Sequence, residues 1–406
     1  MMKSTKDISR KFEAQVQTGR PPIIMQVLPA LNGGGVEQGV VDMNAAIVDA
    51  GGRSIVVSSG GHRVHEITRK GGIHMELPVH SKNPIVMSRN VKHLRNIIRE
   101  QYVDIVHACS RAPAWSAGRA VKDTQAKYVT SCHAAHKISG GLKRFYNASI
   151  TKGDVVITVS DFLAGYLRQN YDMEGVDLRI IHRGLALDKY HPNTVTPDRL
   201  INLTKTWRIP DGASVIILPG RLTRIKGHIF LIDALAKLGR KDIFCVFVGG
   251  NAKNSSYSSE LEKYIEDKGL AGCVRMVDHC DDLAAAYMLS TVVTAPSIVP
   301  EGFGRIAIEA QAMGRPIIAT DHGGSRETII RDETGWLIEP NNVDQFAAAL
   351  EEAMSLTNNQ RALLGTQAMA HIAKNFTVDK MCRETLDVYA EMLVGHSSAE
   401  PRRKSA

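Results

Sequence analysis

The chain has 406 residues, 44% of them hydrophobic, with 50 Lys+Arg against 42 Asp+Glu and a formal net charge of +8. That balance excludes a disordered, collagen-like or disulfide-stapled protein, and at roughly 150 residues per domain the length predicts two domains with separate cores. The cysteines (Cys109, Cys132, Cys245, Cys273, Cys280, Cys382) lack paired spacing, no apolar run is long enough for a membrane span, and residues 1–20 are too polar for a signal peptide, so a reducing cytosol is expected.

The first apolar run is Ile23–Leu28, followed by the glycine loop Gly33-Gly34-Gly35, a helical pattern to about Ala50, a Gly51-Gly52 stop and a second apolar run, SIVVSS. This is the strand–loop–helix–strand order of a parallel α/β sheet. It repeats through strands at Val103–Val106, Tyr128–Ser131, Val155–Val159 and Arg179–Ile181, with helices at Ala114–Val121, Leu142–Lys152 and Asp161–Asn170 between them. The segment KYHPNTVTPDRL is rich in proline and poor in large apolar residues, and reads as a connection between domains. Strands at Ser214–Leu218, Ile243–Val248, Val274–Val277, Val292–Ala295 and Pro316–Ala319 follow, separated by helical patterns, and an amphipathic helix from about Val378 to Leu393 closes the pattern. The fold expected is α/β with two doubly wound Rossmann-like domains facing a cleft. The boundaries expected are a disordered tail over 1–20, a first domain over 21–195 and a second over 196–375. A C-terminal helix over 376–395 is expected to pack back toward the first domain, ahead of a disordered tail over 396–406.

The charge is uneven. Residues 1–200 carry 27 Lys+Arg and 17 Asp+Glu, whereas residues 201–406 carry 23 and 25. The first half is therefore expected to meet an anion, among which nucleic acid, phospholipid headgroups and a phosphorylated glycolipid all qualify. No basic run interleaved with aromatics and no zinc-finger spacing is present, so nucleic acid is not the expected partner.

The glycine loop with Gly39 resembles one form of the dinucleotide fingerprint, but the second strand ends Ser58-Ser59-Gly60-Gly61 without the acid that would hold an adenosine ribose. A dehydrogenase is disfavoured on that ground. The loop keeps its physical use: glycines let a ligand approach backbone, and a helix N-terminus offers free N–H groups. Glu37 sits in the first turn of that helix, where its charge also suits the dipole. The strongest signal is PEGFGRIAIEAQAMGRP. Glu301 precedes a helix, Gly302 and Gly304 bracket Phe303, and Glu309 lies two turns further on. Carboxylates so placed suit several hydroxyls of an extended ligand. A second cluster, LPGRLTRIKGH, puts Arg221 and Lys226 after a parallel strand, where a guanidinium fork and an ammonium can neutralise a diphosphate.

The order GGGVEQ, GRLTRIKG, EGFGRIAIEAQAMGRPII and TGWL resembles retaining GT-B glycosyltransferases of family 4 over roughly residues 23–393. Stretches such as LKRFYN, HCDDLAAAYML and EAQAMGRPIIATDHGGSRET are similar to the lipopolysaccharide core mannosyltransferases of alphaproteobacteria. The resemblance implies transfer of a hexose, mannose from GDP-mannose, to a lipopolysaccharide core acceptor with retained configuration and no metal or other cofactor. The alternatives are a UDP-sugar transferase acting on another glycolipid or polysaccharide, and a GT-B nucleotide-sugar epimerase. Position by position, it implies that Arg221 and Lys226 hold the donor diphosphate, and that Glu301 contacts sugar hydroxyls near the reacting carbon. Glu309 would bind the ribose, while Phe303 and Gly304 would bring backbone N–H groups to sugar and phosphate. Gly34 and Gly35 would close over the donor, and His133 would reach the sugar. Glu37, Ser160 and Arg183 would line the acceptor side of the cleft. The chain departs from the family at Ala186, where an aspartate is usual, and at Ala134 and Asp278, where glycine is usual. The partners implied are a nucleotide sugar, an anionic glycolipid and the cytoplasmic face of an inner membrane, the last by peripheral electrostatics through Lys92, Arg95, Arg99, Lys143 and Arg144.

Overall fold

A computed structural model describes residues 10–17, 19–249 and 256–394, with side chains over 15–17 excepted. The expected tail over 396–406 lies outside these residues. The chain forms two compact units, one running to Gly184 and resuming at Val378, the other spanning Leu185–Thr377.

The first unit is built on seven parallel strands, β1 (Ile23–Val27), β2 (Arg53–Ser58), β3 (Ile73–Glu76), β4 (Ile105–Ala108), β5 (Lys127–Cys132), β6 (Val155–Thr158) and β7 (Asp177–Ile180). Their order is β3-β2-β1-β4-β5-β6-β7. Every residue of β1, β4 and β6 is buried, because helices cover both faces of a parallel sheet and its central strands must be apolar throughout. The order reverses between β1 and β4, which is where loops diverge and ligand sites form in such sheets.

The second unit repeats the plan with β8 (Ser214–Pro219), β9 (Ile243–Val248), β10 (Val274–Val277), β11 (Val292–Ala295), β12 (Ile317–Thr320) and β13 (Trp336–Ile338), ordered β10-β9-β8-β11-β12-β13. Alternate residues feed opposite faces: Ile216 and Phe247 pack with Leu231, Leu235, Phe346 and Leu350, while Ile217 and Val246 pack with Trp207, Tyr287, Ala307 and Ala310.

Three expectations are corrected. Residues Arg10–Gln17 are helical, and Phe12 is fully buried in a cluster with Ile24, Met43, Ile47, Ile105, Leu386 and Tyr389. The expected 1–20 tail is therefore structured at least there, because one aromatic anchor holds a helix too short to stand alone. The segment read as a connection belongs to the second unit, where Pro197 opens helix Pro197–Trp207 and Trp207 is buried. Finally, the units divide at Gly184/Leu185 instead of 195/196, since Leu185 bridges to Thr377 and donates its N–H to the Phe376 carbonyl. Phe12→Ala is expected to destabilise the first unit by about 3 kcal/mol or more, read as a lower guanidinium midpoint.

Helix Val378–Val394 lies in the first unit and packs on helices Arg10–Gln17 and Gly35–Asp49. Its Tyr389 hydroxyl meets Nδ1 of buried His107 at 2.6 Å, and Nε2 of His107 meets Ser131 Oγ at 2.5 Å. This buried polar chain ties the last helix to β4 and β5. Burial lowers the His107 imidazole to about 4, so it stays neutral near neutral pH.

Candidate functional site

In the second unit three loops leave the carboxyl ends of the neighbouring strands β8, β11 and β12 and are stitched together. The Ile298 N–H donates to the Ile225 carbonyl at 2.9 Å, and the Gly324 N–H donates to the Glu301 carbonyl at 2.9 Å. Gly227, at φ 74°, allows the first contact: a Cβ there would overlap the Pro296 carbonyl oxygen, and the left-handed conformation disfavours other residues. Across this seam Lys226 Nζ donates to Glu301 Oε1 at 2.8 Å, with both side chains half-buried. Ser297 Oγ donates to the same oxygen. Burial pushes the Glu301 carboxyl upward, but the Lys226 ammonium and the hydrogen bonds from Lys226 and Ser297 outweigh it and hold the group below its ordinary value. Glu301 is thus a fixed anion. Lys226 has three N–H donors, two of them without a partner among the described residues.

Arg221 is exposed, on the loop that follows β8, and has no ion-pair partner among the described residues. Its neighbour Arg224 pairs with Glu260 at 2.5 Å. Of the three cations on this loop, Arg224 and Lys226 are therefore paired with carboxylates and Arg221 is not, among the described residues.

Helix Arg305–Ala312 opens at Gly304, which adopts φ 84°. Phe303 is buried against Phe376, with ring centroids 5.7 Å apart. Glu309 is 5% exposed, and both its oxygens are engaged: Tyr287 OH donates to Oε2 at 2.7 Å, and Arg305 donates to Oε1 from Nε at 2.9 Å and Nη2 at 2.7 Å. A ribose hydroxyl would have to share an oxygen that already accepts from Arg305 or Tyr287. Tyr287, Arg305 and the Gly323-Gly324 turn were not singled out by the sequence pattern. The Tyr287 contact spans 22 residues, whereas Arg305 stands at i,i+4 from Glu309, a helical spacing that is itself a signal. His322 precedes that turn, and its two ring nitrogens are buried without a hydrogen-bond partner among the described residues.

In the first unit, Gly34 and Gly35 form the entry to helix Gly35–Asp49, and the Glu37 carboxylate folds back over Gly34. His133 follows β5, and its Nδ1 lies 3.2 Å from Nη2 of Arg183, which follows β7. Burial first, and then the Arg183 charge, push the His133 imidazole well below its ordinary value. Ser160 is fully buried and accepts from the Leu163 N–H at 3.1 Å. It caps helix Asp161–Asn170. Asp282 likewise caps helix Leu283–Leu289 and pairs with Arg199 at 2.5 Å.

The Glycosyltransferase Family 4 model matches residues 33–189, and the Glycosyl transferases group 1 model matches residues 202–370. A glycosyltransferase from Rickettsia africae ESF-5 is 34% identical, with a TM-score of 0.84, 92% of this chain and 99% of that one being covered. Anabaena Alr3699/HepE, solved in complex with UDP-glucose, has the same fold at 19% identity and a TM-score of 0.76, over 92% of this chain and 99% of its own. The D-inositol 3-phosphate glycosyltransferase of Corynebacterium urealyticum is 27% identical over 250 residues, 60% of this chain and 58% of its own length. The chain thus spans little more than half of that relative.

Proposed function

The chain belongs to the glycosyltransferases, with the GT-B arrangement of two Rossmann-like units, and we propose that it moves a hexosyl group, mannose, from GDP-mannose to a lipopolysaccharide core acceptor. The observation that carries the transferase reading is the Lys226–Glu301 pair at 2.8 Å between the loops after β8 and β11. It puts an ammonium suited to a diphosphate beside a carboxylate suited to sugar hydroxyls. Arg221 and the N-terminus of helix Arg305–Ala312 add positive potential for the departing nucleoside diphosphate, so that developing charge is stabilised by groups already in place. Glu309, buried and engaged by Arg305 and Tyr287, serves better as a fixed anchor near the ribose than as a covalent nucleophile. Retention then follows from same-face substitution: the bond from the anomeric carbon to the phosphate oxygen breaks and the acceptor oxygen bonds on that face. The acceptor proton passes to the leaving diphosphate.

The acceptor reading draws on the first unit's basic surface. A groove of about 620 Å³ between helices Pro84–Glu100 and Arg111–Val121 is lined by Lys92, Arg95, Arg99 and Arg119, with the Arg119 guanidinium stacked 3.6 Å over Trp115. Helix Gly141–Asn147 exposes Leu142 and Phe145 beside Lys143 and Arg144. Cations and apolar side chains so combined suit the headgroups of an anionic glycolipid or membrane surface. No helix among the described residues is long and apolar enough to cross a membrane.

A thermal-shift panel of GDP-, UDP- and ADP-sugars tests the donor, with the strongest stabilisation expected from GDP-mannose. Release of GDP that requires a lipopolysaccharide core acceptor separates transfer from hydrolysis. A response to a UDP-sugar alone, or release without acceptor, overturns the mannosyl reading. Sedimentation with anionic vesicles is expected to fall steeply with salt, and binding indifferent to salt counts against docking.

A further inference from the structure

Arg183 and His133 come from loops two strands apart, after β7 and β5, with β6 between them. The chain thus brings a guanidinium across a strand to one particular ring nitrogen, Nδ1 of His133, at 3.2 Å. A guanidinium has five N–H donors and no acceptor and stays charged in proteins. Only one assignment satisfies the contact: Arg183 donates, and Nδ1 of His133 accepts through its lone pair. The imidazole must then be neutral at Nδ1. Burial, and after it the charges of Arg183, His107 and His136, disfavour a second proton, and a neutral imidazole with a bare Nδ1 carries its proton on Nε2. His107 does not compete for this role, since both of its nitrogens are taken by Tyr389 and Ser131.

We infer that Arg183 is a positioning residue that fixes His133 as the Nε2–H tautomer, so that His133 offers the sugar nucleotide a hydrogen-bond donor and cannot act as a general base. The inference rests on the proposed transfer from a sugar nucleotide, with His133 reaching the donor sugar as the family resemblance implies. Its consequence is chemical: the substrate atom met by His133 is an acceptor, a hydroxyl or phosphate oxygen, and His133 takes no proton from the acceptor hydroxyl. The departing diphosphate is left as the proton's destination.

Long-range 1H–15N correlation spectra of the full-length, 15N-labelled protein test the tautomer directly, with His133 identified by its loss in H133Q. A protonated Nε2 and a bare Nδ1 are expected, unchanged in R183K, whose ammonium also only donates. In R183M a mixture of tautomers is expected, together with a fall of roughly tenfold to a hundredfold in kcat/KM for the donor, the size of one misdirected polar contact. R183K is expected to recover most of that loss. A proton on Nδ1 in the wild type, or an unaltered tautomer in R183M, overturns the assignment to Arg183. The expected spectra combined with wild-type turnover in H133F overturn the donor contact instead, so the two failures are told apart.

Discussion

Lys226→Ala is expected to lower turnover by about 10²–10³-fold while the protein stays folded, and Glu301→Ala by a similar factor. The two residues act as a pair. Removing Lys226 deletes a charge that stabilises the departing diphosphate and also leaves the Glu301 carboxylate half-buried without its cation. Burial, until then outweighed, would raise its pKa above the ordinary 4.5. In the wild type the carboxyl is held below that value, so the stability it contributes is present above about 4.5 and is lost as pH falls through the lower folded value. The variant should invert this dependence and gain stability on mild acidification. Acceptor-dependent nucleoside diphosphate release, with circular dichroism as the control for folding, measures the first effect, and guanidinium titrations across pH measure the second. Near-normal transfer by both variants would remove Lys226 and Glu301 from the chemistry.

Gly227→Ala is expected to destabilise the second unit by about 3 kcal/mol or more and to weaken donor binding with it. Two costs add at this position. The left-handed backbone at φ 74° is unfavourable for alanine, and the new Cβ has to displace the Pro296 carbonyl. Gly239→Ala separates them. Gly239 has a similar φ of 64°, but a Cβ there would meet nothing closer than 4.0 Å, at the Lys237 carbonyl. The difference between the two variants in guanidinium midpoint therefore isolates the contact between the β8 and β11 loops. Equal midpoints would mean that this seam does not constrain Lys226.

The strands were the most legible part of the chain. Segments such as SVIILP and IFCVFV are buried on both faces, and such strands are continuous apolar runs in any parallel sheet. Helix Pro84–Glu100 was harder to see, since its buried stripe is only Met87, Asn90, Leu94 and Ile98 among many cations. The proline-rich stretch around Pro197 misled because proline suits the first turn of a helix as well as a linker. In the site, the glycine-bracketed loops and the residues Arg221, Lys226, Glu301 and Glu309 were visible as motifs. Which distant partners these residues take was not. The Arg305–Glu309 pair at i,i+4 and the Ser160 cap at i,i+3 are local spacings, but Lys226 and Glu301 stand 75 positions apart and Tyr287 reaches Glu309 across 22. Such pairings are settled by the order of strands in the sheet.

The return of helix Val378–Val394 to the first unit also sets a timetable for synthesis. The second unit is one uninterrupted stretch and can close its core as soon as its last strand and helices have left the ribosome. The first unit begins earlier yet finishes later, because His107 waits for Tyr389 and Phe12 waits for Leu386, nearly the whole chain away. Until then its apolar face is open to chaperones and to aggregation, so the half that starts first is the half in need of protection.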